Sequence, residues 1–122
     1  MSWKDIKIEK INMIEKLVAE FDITALELLG DVFVDDFIPY GGFKVRIYES
    51  QDKEAIRLTG FTNLKILDST GHYEGAVGFS NTMEGALEET INYFIEKVND
   101  RLAEKGALLT ADDFKIVSYD EF

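Results

Sequence analysis

The sequence predicts a small α+β fold in which helices pack on one face of an antiparallel sheet. Apolar residues recur at helical spacing near both ends of the chain, and they alternate with polar residues through the middle. Short polar turns separate the alternating segments, which favours antiparallel pairing of neighbouring strands. The predicted sheet is a three-stranded meander plus a C-terminal strand. The predicted order is α-α-β-β-β-α-β, within a single domain of 122 residues.

Two helices are predicted before the sheet. Five apolar residues near the N-terminus recur at spacings of one, three or four: Ile11, Ile14, Leu17, Val18 and Phe21. That spacing places them on one face of an amphipathic helix over residues 4–21, with Ser2 as a capping residue. A second, short helix is predicted over 24–29, with Gly30 as its stop. Residues 31–38 fit either a helix or a strand, and the turn at Pro39 follows them.

Alternating apolar and polar residues predict the strands. The first strand covers 43–48, the second continues to Leu67 from about residue 56, and the third covers 73–79. Gly60 lies within the second strand and is typical of a bulge or bend. The last strand is predicted over 114–119.

The long helix near the C-terminus carries the clearest helical signal. Asn81 and Glu84 are spaced as a capping box. Apolar residues then keep helical spacing over five turns: Leu87, Ile91, Phe94, Ile95, Val98 and Leu102. Gly106 is a well-placed C-terminal stop. The sequence therefore predicts a helix from about residue 83 to 104.

The composition limits the classes of function. The chain has 24 acidic and 13 basic residues, a net charge of −11, and no cysteine. The negative field disfavours binding to phosphate backbones and anionic lipid and favours a basic partner. Without cysteine, disulfides and thiolate metal sites are excluded. The sequence shows no secretory signal and no membrane-length apolar segment, so we expect a cytoplasmic protein.

No motif predicts catalysis, a cofactor or a metal site. His72 is the only histidine, and its neighbours Asp68 and Ser69 predict a polar turn rather than a catalytic triad, which needs a rigid scaffold. The acidic pairs lack the spacing of a calcium-binding loop. The sequence therefore predicts a non-enzymatic protein without a cofactor.

The charge is unevenly distributed along the chain. Residues 43–65 carry five bases and three acids, so this segment is +2 and the remainder is −13. Four of these cations alternate with apolar residues: Lys44, Arg46, Arg57 and Lys65. With the strands in register, they share the solvent face of the sheet. That face is either an ordinary wet surface, a site for a phosphorylated small molecule or nucleotide, or a docking face for an acidic partner.

The acidic remainder supplies the other candidate site. Three acidic pairs are candidate partner-binding residues: Asp35 and Asp36, Glu88 and Glu89, and Asp112 and Asp113. Such a surface could occupy the phosphate-binding groove of a basic, nucleic-acid-handling protein by charge complementarity. Small, acidic, cysteine-free chains of this kind resemble inhibitors carried by phages, which implies an anti-defence role similar to DNA mimicry. A homodimer is a further expectation, because the sheet has an open edge.

A short segment resembles a known family. The run from Tyr73 to Leu87 is similar to the strand-to-helix joint of HicB-type antitoxins, where a G-x-T-x-x-E-A-L pattern starts the helix. Thr82 and the Ala86-Leu87 pair match this pattern, whereas Gly85 stands where the family has an acid. The similarity covers fifteen of the 122 residues, and no function is transferred from it.

Overall fold

The protein has an α+β fold with two antiparallel sheets and one long helix. The computed structural model describes residues 2–29, 42–52, 57–117 and 121–122. Within these residues there are seven strands: β1 (Glu15–Thr24), β2 (Gly42–Ser50), β3 (Leu58–Thr62), β4 (Leu64–Leu67), β5 (Tyr73–Glu74), β6 (Val77–Ser80) and β7 (Phe114–Ile116). The α-helices in the same part of the chain are α1 (Leu26–Leu29) and α2 (Met83–Lys105). The α+β class predicted from the sequence is confirmed.

The larger sheet carries the core. Its strand order is β1-β2-β3-β6, every neighbouring pair is antiparallel, and α2 covers one of its faces. Phe43, Val45 and Ile47 on β2 are buried on that face, as their period-two spacing requires. The ring of Phe94 on α2 lies 4.5 Å from that of Phe43, between ring centroids. Burial of these apolar side chains is the main force that holds α2 on the sheet.

The helix predicted over residues 4–21 is wrong. Ser2 caps only one 3-10 turn, Trp3–Asp5, and β1 occupies the second half of the predicted helix. Ala19, Phe21 and Ile23 alternate with exposed side chains and pack against the core. A register shift between Leu17 and Ala19 interrupts the alternation of apolar and polar residues in β1. As a result, the apolar residues before Ala19 follow a spacing that is typical of a helix. Pairing with β2 outweighs that spacing, as tertiary contacts commonly do.

The single predicted sheet is also wrong, because the chain bends at one point. Strands β3 and β4 belong to one extended segment that bends at Asn63. After the bend, β4 pairs with β5 and β7 in a second sheet of order β5-β4-β7. The Thr62 hydroxyl fills the bend: it donates to the Leu64 carbonyl at 2.9 Å and accepts from the Ala76 N–H at 2.9 Å. The C-terminal strand therefore pairs with β4 in the second sheet and does not join the larger sheet.

The long helix is confirmed and begins at Met83, with its capping residue displaced by one position. Thr82, rather than Asn81, is the N-cap, and its hydroxyl accepts from the Gly85 N–H at 3.0 Å. Gly106 ends the helix in the left-handed conformation, with φ of 66°, and so fulfils its predicted role. The short helix predicted over 24–29 is present as α1.

The ambiguous segment 31–38, with Asp35 and Asp36, lies outside the described residues. Among the residues that the structure describes, no helix has the length and apolar character that crossing a membrane requires.

Candidate protein-binding site

Two glycines set the position of α2 over the larger sheet. A Cβ atom at Gly78 would lie 2.5 Å from the Thr90 backbone nitrogen and 2.9 Å from the Thr90 Cα atom. A Cβ atom at Gly60, on the neighbouring strand, would collide with the Thr90 hydroxyl. Glycine therefore allows the helix backbone to approach β3 and β6 closely. Gly60, predicted to mark a bulge, serves this close approach instead.

All three bases of α2 form ion pairs with acids from outside the helix. Lys97 Nζ lies 3.4 Å from a Glu74 carboxylate oxygen on β5. Arg101 and Lys105 both reach Asp113, at 3.0 Å and 2.6 Å. The bases therefore point toward the body of the protein, where two carboxylates pair with all three of them.

Four acids of α2 form a line along the flank next to those bases, because three of them directly precede a base in sequence and so lie about 100° from it around the helix. They follow one another at spacings of seven, four and four residues, which places them on one helix flank: Glu89, Glu96, Asp100 and Glu104. Because each residue advances a helix by 1.5 Å, this acidic stripe is about 22 Å long. None of the four side chains makes a hydrogen bond or ion pair with another described residue. The stripe therefore presents uncompensated negative charge.

Residues of the stripe line two open grooves together with residues of β5 and β6. The first, with a volume of about 550 Å³, is lined by Ser80 at the end of β6 together with Glu88, Glu89, Tyr93 and Glu96. The second, of about 180 Å³, brings Asp100 and Glu104 together with Glu74 on β5. Lys97 and Arg101, which pair with Glu74 and Asp113, line the same groove. The grooves follow one flank of α2 and are accessible from solvent. The predicted pair Glu88 and Glu89 thus belongs to a longer acidic surface.

The apolar side chains of β6 lie on the outer face of the larger sheet. Val77 and Phe79 are 36 % and 48 % exposed. Gly78, between them, is buried against α2. Because the helix approaches so closely, only glycine fits on the inner face, and the apolar residues occupy the outer face.

The candidate cations Lys44 and Arg46 lie on the outer face of β2, where acids on β1 neutralise them. Arg46 is only 7 % exposed, and its Nε atom donates to Glu20 at 2.7 Å. Its guanidinium also lies 4.5 Å from the ring centroid of Phe122. Lys44 Nζ lies 2.5 Å from an Asp22 carboxylate oxygen. An incoming phosphate would have to displace these carboxylates.

The other two cations are not brought to this site. Arg57 lies exposed just before β3, and Lys65 is on β4 in the second sheet. The bend at Asn63 separates Lys65 from the face that the sequence assigned to it. The four residues therefore do not form one cationic cluster.

We expect no nucleotide to raise the melting temperature of this protein appreciably. The reason is that Glu20 and Asp22 already occupy the two clustered cations. Differential scanning fluorimetry with a panel of nucleoside mono-, di- and triphosphates and cyclic nucleotides measures this directly. A rise that disappears in Arg46→Ala would contradict the expectation and restore the small-ligand hypothesis.

The acidic pair near the C-terminus divides into two different environments. Asp112 is exposed, and its backbone carbonyl accepts from the Tyr73 hydroxyl at 2.7 Å. Asp113 is 2 % exposed and accepts from Arg101, Lys105 and the Thr110 N–H. Burial opposes ionisation of Asp113, but these hydrogen bonds outweigh it and hold its pKa below the ordinary value. Asp113 is therefore a structural residue that anchors α2, rather than a docking residue.

His72 belongs to a polar turn between β4 and β5, as predicted. The Asp68 carboxylate accepts from the Thr70 hydroxyl at 2.6 Å and from the His72 N–H at 3.0 Å. The Thr70 hydroxyl bond, followed by the His72 backbone bond, lowers the pKa of Asp68 to about 2. This arrangement closes the turn. Within the described residues, no group of histidine and carboxylate side chains is arranged to hold a metal ion.

Sequence reasoning missed three members of the stripe: Glu96, Asp100 and Glu104. Their spacing relative to Glu89 was visible once the helix was predicted, and it would have identified the stripe. The acids that neutralise Lys44 and Arg46 could not be found in this way, because β1 was predicted as a helix.

Comparison with known proteins gives no identification. No protein-family model, no curated protein and no solved structure matches this chain.

Proposed function

We propose that this protein is a non-catalytic binding domain that uses the acidic stripe of α2 to dock on a basic protein partner. The observation that carries the proposal is the difference in pairing between the bases and the stripe acids of α2. All three bases pair with Glu74 or Asp113, whereas the stripe acids have no partner among the described residues. Uncompensated surface charge steers association and selects a partner of opposite sign.

The proposed partner is a basic, nucleic-acid-handling protein. A rigid helix holds the stripe carboxylates at regular intervals of about 6 Å wherever they are four residues apart. A groove that binds a phosphate backbone presents lysine and arginine side chains in rows, and those side chains can pair with such carboxylates. Occupation of the groove would block nucleic acid, as expected of an inhibitor carried by a phage or another mobile element.

Neutralising the stripe tests the proposal by affinity capture. The stripe variant combines Glu89→Gln, Glu96→Gln, Asp100→Asn and Glu104→Gln. The control variant carries four substitutions of exposed acids elsewhere: Glu9→Gln, Glu15→Gln, Glu27→Gln and Glu121→Gln. Both variants change the net charge from −11 to −7, so they differ only in where the charge is lost.

We expect the wild-type protein and the control variant to capture the same basic nucleic-acid-binding protein from lysate of the native host. The stripe variant should lose it, because the docking charges are gone. Quantitative mass spectrometry of the captured proteins makes the comparison. Equal capture by the stripe variant and the control variant would refute the docking role of the stripe.

A further inference from the structure

The open edge of β6 lies directly beside the acidic stripe. Within the described residues, β6 pairs with β3 on one side and with no strand on the other. An unpaired strand edge presents a row of N–H and C=O groups, and it is a template for another strand. The edge is four residues long, Val77–Ser80.

The direction of the free backbone groups follows from the ladder. Thr62 N–H donates to the Ala76 carbonyl at 3.2 Å, and Ala76 N–H donates to the Thr62 hydroxyl at 2.9 Å, so the backbone groups of this pair point across the β3–β6 interface. In an antiparallel ladder such pairs alternate, and the next ones are Gly60 with Gly78 and Leu58 with Ser80. The N–H and C=O groups of Val77 and Phe79 therefore point to the open edge.

The surroundings of the edge differ between the two faces of the sheet. On the α2 side lie Glu89 and Glu96 of the stripe, together with Ser80, in one groove. On the outer face, the exposed side chains of Val77 and Phe79 form an apolar strip. A strand added to this edge would thus meet acids on one face and apolar groups on the other.

We propose that the edge of β6 binds an extended segment of the basic partner as an additional antiparallel strand, with basic and apolar side chains in alternation. This inference rests on the proposed function and names its binding mode. Charge complementarity selects the occupant, because basic side chains on the inner face would pair with the stripe. A second copy fits poorly, since pairing β6 with itself would bring two acidic stripes together.

The pairing geometry gives a sharp test with synthetic peptides. In an antiparallel pair, residues opposite Val77 and Phe79 share their outer face and direct their own N–H groups to β6. The probe is a capped octapeptide that alternates lysine and valine. One derivative carries N-methyl groups on its four valine amides, and the other carries them on its four lysine amides. The two derivatives have the same charge and the same number of methyl groups.

We expect the unmodified octapeptide to bind the wild-type protein in fluorescence anisotropy at low salt. Methylation of the valine amides should weaken binding by about tenfold or more, because it removes the N–H donors to the edge. Methylation of the lysine amides, which point to solvent, should change the affinity by less than about threefold. A glutamate–valine octapeptide should not bind.

Two substitutions of Phe79 test whether the backbone of β6 takes part in pairing with the peptide. Phe79→Pro removes an edge N–H group and leaves the ladder to β3 intact, whereas Phe79→Ala removes the ring and keeps the N–H group. We expect Phe79→Pro to bind the octapeptide about fivefold or more weakly than Phe79→Ala.

Three results would overturn the inference. They are no binding of the octapeptide, equal binding of the two methylated derivatives, and self-association of the wild-type protein that Phe79→Pro abolishes. Equal binding of the derivatives would leave the proposed function standing, because the capture experiment with the stripe variant is independent of strand pairing.

Discussion

Substitution of Gly78 by alanine is expected to destabilise the protein by about 3 kcal/mol. The new Cβ atom would lie 2.5 Å from the Thr90 nitrogen and 2.9 Å from the Thr90 Cα atom, both part of the α2 backbone. A backbone cannot rotate away as a side chain can, so the whole helix must move off the sheet. Where no such contact exists, replacing glycine by alanine usually stabilises a protein, which makes the sign of the effect diagnostic.

Chemical denaturation of Gly78→Ala, with Val77→Ala as the matched control, measures this effect. Val77 lies on the same strand but faces outward, so its truncation should change the free energy of unfolding by less than about 1 kcal/mol. Gly60→Ala gives a second comparison, because its Cβ atom would collide with the Thr90 hydroxyl. Thr90→Ala should relieve the collision at Gly60 but leave the one at Gly78. A Gly78→Ala protein as stable as the wild type would contradict the close approach.

Replacement of Asp113 by asparagine is expected to cost about 2–3 kcal/mol. The Asp113 carboxylate joins two bases of α2 and the Thr110 N–H, so its loss leaves Arg101 and Lys105 without their anion. Because the two bases are only partly buried, water compensates for some of this loss. Asp112→Asn is the control, since its side chain is exposed; a similar destabilisation in both variants would contradict the structural role of Asp113.

The same carboxylate predicts a dependence of stability on pH. The pKa of Asp113 is lower in the folded protein than its ordinary value of 3.8. Its contribution is therefore fully present above pH 3.8 and is lost as the pH falls through the lower, folded-state pKa. Asp113→Asn should show a shallower decline in stability below this pH than the wild type does, in denaturation measured across the acid range.

The sequence was sufficient for the elements whose pattern reflects local structure. The helix α2 keeps its spacing from Leu87 to Leu102 and ends at Gly106, and both features are local. The strand β1 was missed, because the register shift between Leu17 and Ala19 disguises its alternation. Pairing with β2 determines its conformation, and the paired residues are between 18 (Thr24 and Gly42) and 35 (Glu15 and Ser50) positions apart in sequence.

The candidate site was predicted in part for a similar physical reason. The acidic character of the chain and the pair Glu88 and Glu89 pointed to α2, where helical spacing makes neighbours predictable. The four predicted cations do not form one cluster. The bend at Asn63 places β4 in the second sheet, and acids of β1 pair with Lys44 and Arg46. The exposure of Phe79 was likewise invisible, since it follows from how closely α2 approaches Gly78.

The salt dependence of partner binding tests the central claim most directly. The dissociation constant of the captured partner is measured between about 50 and 200 mM salt for the wild-type protein, the stripe variant and the control variant. If the acidic stripe is the docking surface, the affinity of the wild type and of the control variant falls steeply with salt. The stripe variant should bind more weakly and with a clearly shallower dependence. The same steep dependence in all three proteins would contradict the assignment of the stripe.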